Sequence, residues 1–188
     1  MRDLSKDYSV RELDPRGIRA AAAELAEVLV DCVEGGASVS FMSGLTPEKA
    51  RRFWTGVAAA AEADGRAVFA AIRERDRKIV GTVQMIPAGF ENQPHRGEVA
   101  KMLVLRSERR QGLGAALMRA AEAAALRAGK TLLTLDTASA DAERLYASLG
   151  WTRVGVIPDY ALLPGGRPCA TVFYFKMLEG EAGRASAA

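Results

Sequence analysis

The feature that most constrains the fold is one continuous segment, in which an apolar strand-like run leads through a glycine- and arginine-containing loop into a helical pattern. The run EVAKMLVL (98–105) is apolar at every position after Lys101, which predicts a central strand buried on both faces. The loop lies within SERRQGLGAAL (107–117), and beyond it alanine and leucine recur at helical spacing as far as Gly129. The segment therefore predicts a strand, a loop and a helix in direct succession.

Extended and helical patterns alternate on both sides of this segment. Two Val- and Ile-rich runs flank Asp76 and Arg77 and predict a β-hairpin, and Thr46 followed by Pro47 predicts a helix N-cap and first turn. The predicted strands cover 8–13, 66–74, 78–87, 98–105, 131–136, 151–160 and 169–178, and the predicted helices cover 15 to about 33, 47 to about 64, 113–128 and 142–149. This order predicts an α/β domain.

Length, charge and composition exclude several classes of protein. The 188 residues suit one compact domain, which we expect to span 1–178 and to be followed by a disordered tail at 179–188. The net charge is +3 and the basic residues lack interleaved aromatic residues, so a nucleic-acid partner is not predicted. Residues 1–14 are too polar for a signal peptide, and no apolar run reaches the roughly 18 residues of a membrane span. We therefore expect a cytoplasmic protein with no membrane partner.

The cysteine and histidine content predicts neither a disulfide framework nor a metal site. Cys32 and Cys169 are far apart, no CxxC motif is present, and His95 is the one histidine. We expect both cysteines to be buried free thiols and His95 to be solvated in the polar loop at 90–97.

The loop before the third predicted helix has the composition of an anion cradle. The first backbone N–H groups of a helix have no partner within the helix, and the helix dipole places partial positive charge there. Glycine allows close approach to the main chain, and arginine supplies countercharge. A nucleotide P-loop is excluded because no Lys-Ser or Lys-Thr follows the glycines, and a dinucleotide fingerprint is damaged because Leu117 replaces a small residue. A plain helix start with solvated arginines remains the alternative.

Three blocks of the sequence together resemble the GNAT N-acetyltransferases. These blocks are MLVL, then Arg109-x-x-Gly112-x-Gly114, then Ala142-x-x-x-Tyr146-x-x-x-Gly150-Trp151. The resemblance extends from about residue 8 to 178 and is greatest to the tabtoxin resistance type, on the stretches GGASVSFM, EVAKMLVL, RRQGLG, LDT, LYASLGWTRVG, IPDYAL and TVFYFK. It implies an α+β fold with a mixed, mostly antiparallel sheet and helices on both faces, in which the central strand splays from its neighbour to open a V-shaped cleft.

The resemblance implies acetyl-coenzyme A as cosubstrate, without a metal. Backbone groups of Met102, Leu103 and Val104 would contact the pantetheine arm. The pyrophosphate would be wrapped by Arg109, Arg110, Gln111, Gly112, Leu113, Gly114 and Ala115, with both arginines either near phosphate or facing solvent. Ser139 would also contact the cofactor, and it stands where family members often have asparagine.

The resemblance also implies three catalytic candidates. Glu98 would be the base that takes a proton from the acceptor amine, directly or through water; the alternative is a carboxylate paired with Lys101 or Arg96. Asp136 would share that role or bind the substrate ammonium; the alternative is an N-cap. Tyr146 would protonate the departing thiolate, since a tyrosine near its reference pKa of about 10 stays protonated at neutral pH and can donate to a thiolate whose thiol has a pKa of about 8.5. The alternative is a buried core tyrosine.

The implied reaction is direct acetyl transfer in a ternary complex to the primary amine of a small, amino-acid-like toxin or antibiotic. Phe41, Met42 and Trp54 would line the acceptor pocket, or would pack in the core. A protein or peptide acceptor, and a non-catalytic acyl-coenzyme A sensor, are the other functions that this sequence allows. The protein is expected to be a monomer or homodimer.

Overall fold

The computed structural model describes residues 6–179, and the predicted disorder of the C-terminal tail concerns residues that lie almost entirely outside this range. The strands are β1 Tyr8–Leu13, β2 Ala67–Arg73, β3 Lys78–Pro87, β4 Arg96–Val104, β5 Leu132–Thr137, β6 Thr152–Leu162 and β7 Pro168–Met177. The helices are α1 Pro15–Ala20, α2 Ala22–Glu34, α3 Pro47–Asp64, α4 Leu113–Arg127 and α5 Ala140–Ser148, with a 3₁₀ turn at Arg106–Glu108.

The seven strands form one sheet in the order β1-β2-β3-β4-β5-β7-β6. Strands β4 and β5 are parallel, and the other neighbouring pairs in this sheet are antiparallel. The predicted α+β fold with a mixed, mostly antiparallel sheet is confirmed.

Helices cover both faces of the sheet, and the sequence of strand β2 places apolar side chains on both of these faces. Its side chains alternate between two hydrophobic clusters because successive residues of a strand point to opposite faces. Phe69 packs in a cluster with α4, here called the α4-side core, and Val68 packs in a cluster with α1, α2 and α3, here called the α2–α3-side core. Leu117 of α4 and Leu29 of α2 are fully buried on these two faces.

Several bounds differ from the prediction by one or two residues, and two differences have an identifiable local geometry. The first predicted helix is divided at Ala21, where φ is −86° and ψ is 1°, although no glycine or proline marks that position. Strand β4 begins at Arg96 rather than at Glu98, because Arg96 O accepts a hydrogen bond from Ala88 N and extends the pairing with β3 into the predicted loop. The hairpin formed by β2 and β3 is confirmed.

Candidate functional site

The site begins where β4 and β5 separate. The two strands pair over Arg96–Glu98 and Leu132–Thr134, but β4 continues to Val104 and β5 to Thr137. Within residues 6–179, no strand pairs with the second half of β4 on its β5 side. The separation therefore leaves an open backbone edge and a cleft between the strands, as the family resemblance implies.

A β-bulge in β4 changes the face to which its side chains point. Thr82 pairs with Leu103 and Gln84 with Ala100, so β4 has one residue more than β3 between these pairs. Lys101 lies in this bulge with φ +50°, which is an unusual conformation for a side chain of this size. Met102 packs against the α4-side core and Leu103 lies in the α2–α3-side core.

The prediction that β4 is buried on both faces is wrong for its second half. Lys101, Met102 and Val104 are only half-buried, since their strand borders the cleft instead of another strand. Apolar residues here form the wall of a cavity, which the strand pattern alone cannot distinguish from a buried core.

The loop between β4 and α4 presents the helix N-terminus to this cleft. Gly112 caps α4 with φ +90°, a backbone conformation that favours glycine, and it supplies no side-chain cap. Arg109 Nε lies 3.4 Å from Val104 O and donates to it, whereas the Arg110 side chain is 83% exposed. Gly114 has a packing role, because a Cβ there would lie 2.9 Å from Leu145 Cδ2.

The cleft has a volume of about 770 Å³ and brings together almost all of the sequence-predicted site residues. Of the residues predicted to be catalytic or to bind the cofactor, Gln111 is the one that does not line it. The predicted residues that line it are Glu98, Met102, Leu103, Val104, Arg109, Arg110, Gly112, Leu113, Gly114, Ala115, Asp136, Ser139 and Tyr146.

Tyr146 lies on α5 at the wall of the cleft and is 5% exposed. Its ring packs on Trp151 and Tyr174 at centroid distances of 6.1 and 5.8 Å, so the ring is part of the α4-side core. Within the described part of the chain, its hydroxyl has no hydrogen-bond partner. Both interpretations of Tyr146, a core residue and a cleft residue, therefore apply to different parts of one side chain.

The electrostatics of Tyr146 differ from the prediction. Burial raises the pKa of its hydroxyl above the ordinary value, and the charge of Asp136 and the proximity of Tyr174 raise it further. The expectation of a pKa near 10 is therefore wrong, because a phenolate in this surrounding would lose hydration and face a carboxylate.

The two carboxylates lie on the face of the sheet opposite to α4. Leu135 packs in the α4-side core, so alternation along β5 turns Asp136 to the other face. Val99 packs in the same core, so Glu98 also faces away from α4. Asp136 Oδ2 accepts a hydrogen bond of 2.8 Å from Thr171 Oγ1.

The alternatives considered for these two residues do not apply. Within residues 6–179, neither Lys101 nor Arg96 lies within 4.0 Å of the Glu98 carboxylate, which is exposed to the cleft. Asp136 is not a helix cap, since Ser139 is the N-cap of α5 and its Oγ accepts from Ala142 N at 3.4 Å.

The residues predicted to line an acceptor pocket lie elsewhere. Trp54 is fully buried in the α2–α3-side core, and Phe41 packs edge-on against Phe53 of that region at 5.3 Å. Met42 is 45% exposed and does not line the cleft. The prediction is wrong for Trp54 because an aromatic residue on an amphipathic helix, here α3, is as suited to a core as to a pocket.

The remaining sequence expectations concern His95 and the cysteines. His95 is exposed, as predicted. Both cysteines are free; Cys32 is buried, whereas Cys169 is only half-buried, with Sγ 3.8 Å from Ser38 Oγ.

Sequence reasoning placed Phe41 and Met42 in an acceptor pocket but missed the neighbouring residues of the same segment, which line the cleft on the side of the carboxylates. Ser38 Oγ donates to Leu162 O at 3.2 Å and Ser43 N to Pro164 O at 2.9 Å, which fastens the loop between α2 and α3 to the β6–β7 connection. Residues 36–40 of this loop, here called the covering loop, line the cleft together with Leu163. The density of glycine and serine in GGASVSFMSG indicated a loop, but no pattern indicated its contact 120 residues further along the chain.

Lys101 is the second feature that was missed as a component of the site. Its Nζ donates to Ser40 Oγ at 3.2 Å and lies 5.8 Å from the centroid of the Phe53 ring, under the covering loop. A bulge has no signature in a single apolar strand, so its side chain could not be assigned to the cleft from sequence.

The part of the chain that the structure describes has neither a membrane-spanning helix nor a metal-binding cluster. Among residues 6–179, no helix is both long and apolar enough to cross a membrane. Within the same range, no group of three or more histidine, cysteine, aspartate or glutamate side chains is arranged to hold a metal ion.

The sequence profile of the acetyltransferase (GNAT) family matches residues 25–151. This chain therefore belongs to the GNAT family, and it is an acetyl-coenzyme A-dependent N-acetyltransferase.

Solved structures of similar proteins support the same fold over nearly the whole chain. A ribosomal-protein-alanine N-acetyltransferase from Brucella melitensis is 22% identical, with a TM-score of 0.75 over 90% of this chain and 99% of that one. A phosphinothricin acetyltransferase from Sinorhizobium meliloti, solved with acetyl-coenzyme A, is 19% identical, with a TM-score of 0.75 over 94% and 91%. A GCN5-related N-acetyltransferase from Kribbella flavida is 20% identical, with a TM-score of 0.75 over 92% and 99%.

Proposed function

We propose that this enzyme transfers the acetyl group of acetyl-coenzyme A directly to the primary amine of a small, amino-acid-like molecule, and that the reaction detoxifies a toxin or antibiotic. The observation that carries the proposal is the gap between β4 and β5, which has Tyr146 on one side and Glu98 and Asp136 on the other. A donor and an acceptor can meet in this gap from opposite faces of the sheet.

The cleft suits the shape and charge of acetyl-coenzyme A. Residues 102–104 offer an open strand edge to the amide groups of a pantetheine arm, and the arm would lie there like an added strand. Gly112 follows this edge and is the N-cap of α4. No side chain caps this helix, so its first N–H groups suit a pyrophosphate. Arg110 is exposed beside it and provides countercharge. Acetyl-coenzyme A bound in this way supplies an activated thioester.

Tyr146 would act on the sulfur of the leaving group. Its raised pKa keeps the hydroxyl protonated throughout the neutral range, and the lack of an acceptor among residues 6–179 leaves it available to a ligand in the cleft. A phenol with a pKa above 10 transfers a proton to a thiolate of pKa about 8.5 only against a free-energy difference of about 2 kcal/mol or more. We therefore infer that Tyr146 stabilises the developing thiolate mainly by donating a hydrogen bond.

Glu98 is the better of the two candidates for the base. Its carboxylate faces the cleft without a partner in the described chain, whereas Asp136 already accepts from Thr171. Glu98 would take the proton of the acceptor amine, directly or through water, and Asp136 would hold the ammonium group before it loses that proton. Because Tyr146 would stabilise the thiolate while Glu98 takes the proton of the amine, the amine can attack the thioester directly and no covalent intermediate on the enzyme is needed.

The covering loop favours a small acceptor over a protein. Residues 36–40 and Leu163 line the carboxylate side of the cleft, and the contacts of Ser38 and Ser43 tie this loop to the β6–β7 connection. An extended peptide needs an open groove on that side. The structural neighbours include enzymes named for a small acceptor and for a protein acceptor, so the fold by itself favours neither class.

Thiol release from acetyl-coenzyme A, measured across a panel of amines that includes amino acids and β-lactam-type toxins, tests this proposal. We expect turnover with at least one class of small amine. Binding of acetyl-coenzyme A without turnover of any small amine, together with acetylation of a co-purified protein detected by intact mass, would replace it with the protein-acceptor function.

A further inference from the structure

The carboxylate side of the cleft contains a cation, Lys101, that has no ion-pair partner among the described residues. Lys101 lines the cleft and is half-buried, yet within residues 6–179 no carboxylate oxygen lies within 4.0 Å of its Nζ. Its polar neighbour is the Ser40 hydroxyl at 3.2 Å, and the Phe53 ring lies 5.8 Å away. Charged groups removed from water are normally paired, because losing hydration without a counter-ion is costly.

The β4 bulge places this cation on the acceptor side. Without the extra residue, strict alternation from Val99 would turn Lys101 toward the α4-side core. In the observed structure its ammonium instead reaches the loop between α2 and α3, on the face that also holds Glu98 and Asp136. The left-handed conformation of Lys101 is the cost of this arrangement.

The surroundings of Lys101 leave space for a bound anion. Glu98 and Asp136 are close enough for their charges to raise the pKa of Lys101, while burial lowers it more strongly. Neither carboxylate lies within 4.0 Å of the ammonium, and Ser40 takes up one of its three donors, so donors of this cleft-lining side chain remain for a ligand.

We propose that Lys101 is a specificity-determining residue that binds a carboxylate, or an anionic group of similar size, on the acceptor molecule. This inference rests on the proposed function, in which Glu98 and Asp136 receive the amine. A cation and two carboxylates on one wall match a zwitterionic acceptor, with its anion at Lys101 and its ammonium at the carboxylates. The substrate class is then small amines that carry an anionic group, rather than simple alkylamines.

A structural role for Lys101 is the competing explanation. Its hydrogen bond to Ser40 could serve to hold the covering loop, and in that case its removal would affect every acceptor equally. Ser40→Ala provides the matched control, since it removes this hydrogen bond and keeps the cation.

The test uses amino acids and their carboxamides as paired acceptors, with the full-length enzyme and saturating acetyl-coenzyme A. The kcat/KM values are measured for the wild type, Lys101→Met, Lys101→Arg and Ser40→Ala. The carboxylate preference of an enzyme is its kcat/KM for the amino acid divided by its kcat/KM for the carboxamide. Dividing the preference of each variant by that of the wild type cancels the effect of the difference in amine basicity between the two acceptors. Thermal unfolding and the KM for acetyl-coenzyme A report whether the variants are folded.

We expect the wild type to prefer the carboxylate member by about tenfold or more, as a charge-assisted hydrogen bond implies. Lys101→Met should abolish the preference mainly through KM, Lys101→Arg should retain part of it, and Ser40→Ala should retain it. An equal loss for both members of each pair in Lys101→Met, or a wild-type enzyme without the preference, would overturn the inference while leaving the small-amine function intact. Failure of the wild type to acetylate any small amine would instead overturn the proposed function, and this inference with it.

Discussion

Replacing Tyr146 with phenylalanine separates its role in catalysis from its role in packing. The substitution removes one hydroxyl and keeps the ring that packs on Trp151 and Tyr174. Because this hydroxyl has no partner among the described residues, its removal sacrifices no hydrogen bond of the folded protein. We therefore expect the free energy of unfolding to change by less than about 1 kcal/mol.

The expected loss of activity follows from the pKa of Tyr146. Full proton transfer by a well-matched general acid contributes about 10²- to 10⁴-fold. Burial and the charge of Asp136 raise the pKa of this hydroxyl, so it is a weak acid toward the thiolate. A hydrogen bond to a charged group is worth about 1.5–3 kcal/mol, which corresponds to about 10- to 150-fold in rate. We expect Tyr146→Phe to lower kcat by this smaller factor.

Steady-state thiol release and urea unfolding measure the two quantities. Tyr174→Phe is the matched control, since Tyr174 packs on the same ring but donates its hydroxyl to Glu143 at 2.8 Å and does not line the cleft. We expect Tyr174→Phe to retain kcat. An unchanged kcat in Tyr146→Phe, or an equal loss in both variants, would refute a role for the Tyr146 hydroxyl.

The pH dependence provides an independent check on the same residue. A raised pKa keeps the Tyr146 hydroxyl protonated to higher pH. If kcat declines at alkaline pH because this hydroxyl loses its proton, the decline should lie above pH 10 and should be absent in Tyr146→Phe. A decline that is centred between pH 7 and 9 and is lost in the variant would contradict the effect of burial described above.

Three further predictions concern the cofactor, the base and the core. Gly112→Asp should weaken acetyl-coenzyme A binding by about tenfold or more in calorimetry, because it adds negative charge beside the pyrophosphate. Gly112→Ala is the control, since it has the same backbone strain at φ +90° but adds no charge. Unchanged affinity in Gly112→Asp would disprove the cradle. Glu98→Gln should lower kcat more than Asp136→Asn, since Asp136 is already hydrogen-bonded; the reverse order would make Asp136 the base. Leu117→Ala should destabilise the protein by about 2–5 kcal/mol in urea unfolding, because Leu117 is fully buried, and a cost below about 1 kcal/mol would be inconsistent with that burial.

Local patterns were sufficient to predict most elements of the fold. The hairpin of β2 and β3, the N-cap at Thr46 and the helix that begins after Gly112 each depend on residues that are neighbours in sequence. Positions in the candidate site were predictable for the same reason, since the loop, the strand before it and Tyr146 form blocks at fixed spacing. Gln111 is the one such residue that does not line the cleft.

The sequence by itself determined the order of strands and helices, the glycine-containing turn into α4 and the family, because these follow from hydrophobic periodicity and short motifs. Tertiary structure decided the gap between β4 and β5, the contact of the covering loop with the β6–β7 connection, and the core position of Trp54. It also decided the raised pKa of Tyr146 and the position of Lys101 on the acceptor side. These properties depend on whether segments that are distant in sequence pack together, and so exclude water, or separate from one another. In β4, a bulge of one residue is enough to reverse the face on which a side chain lies.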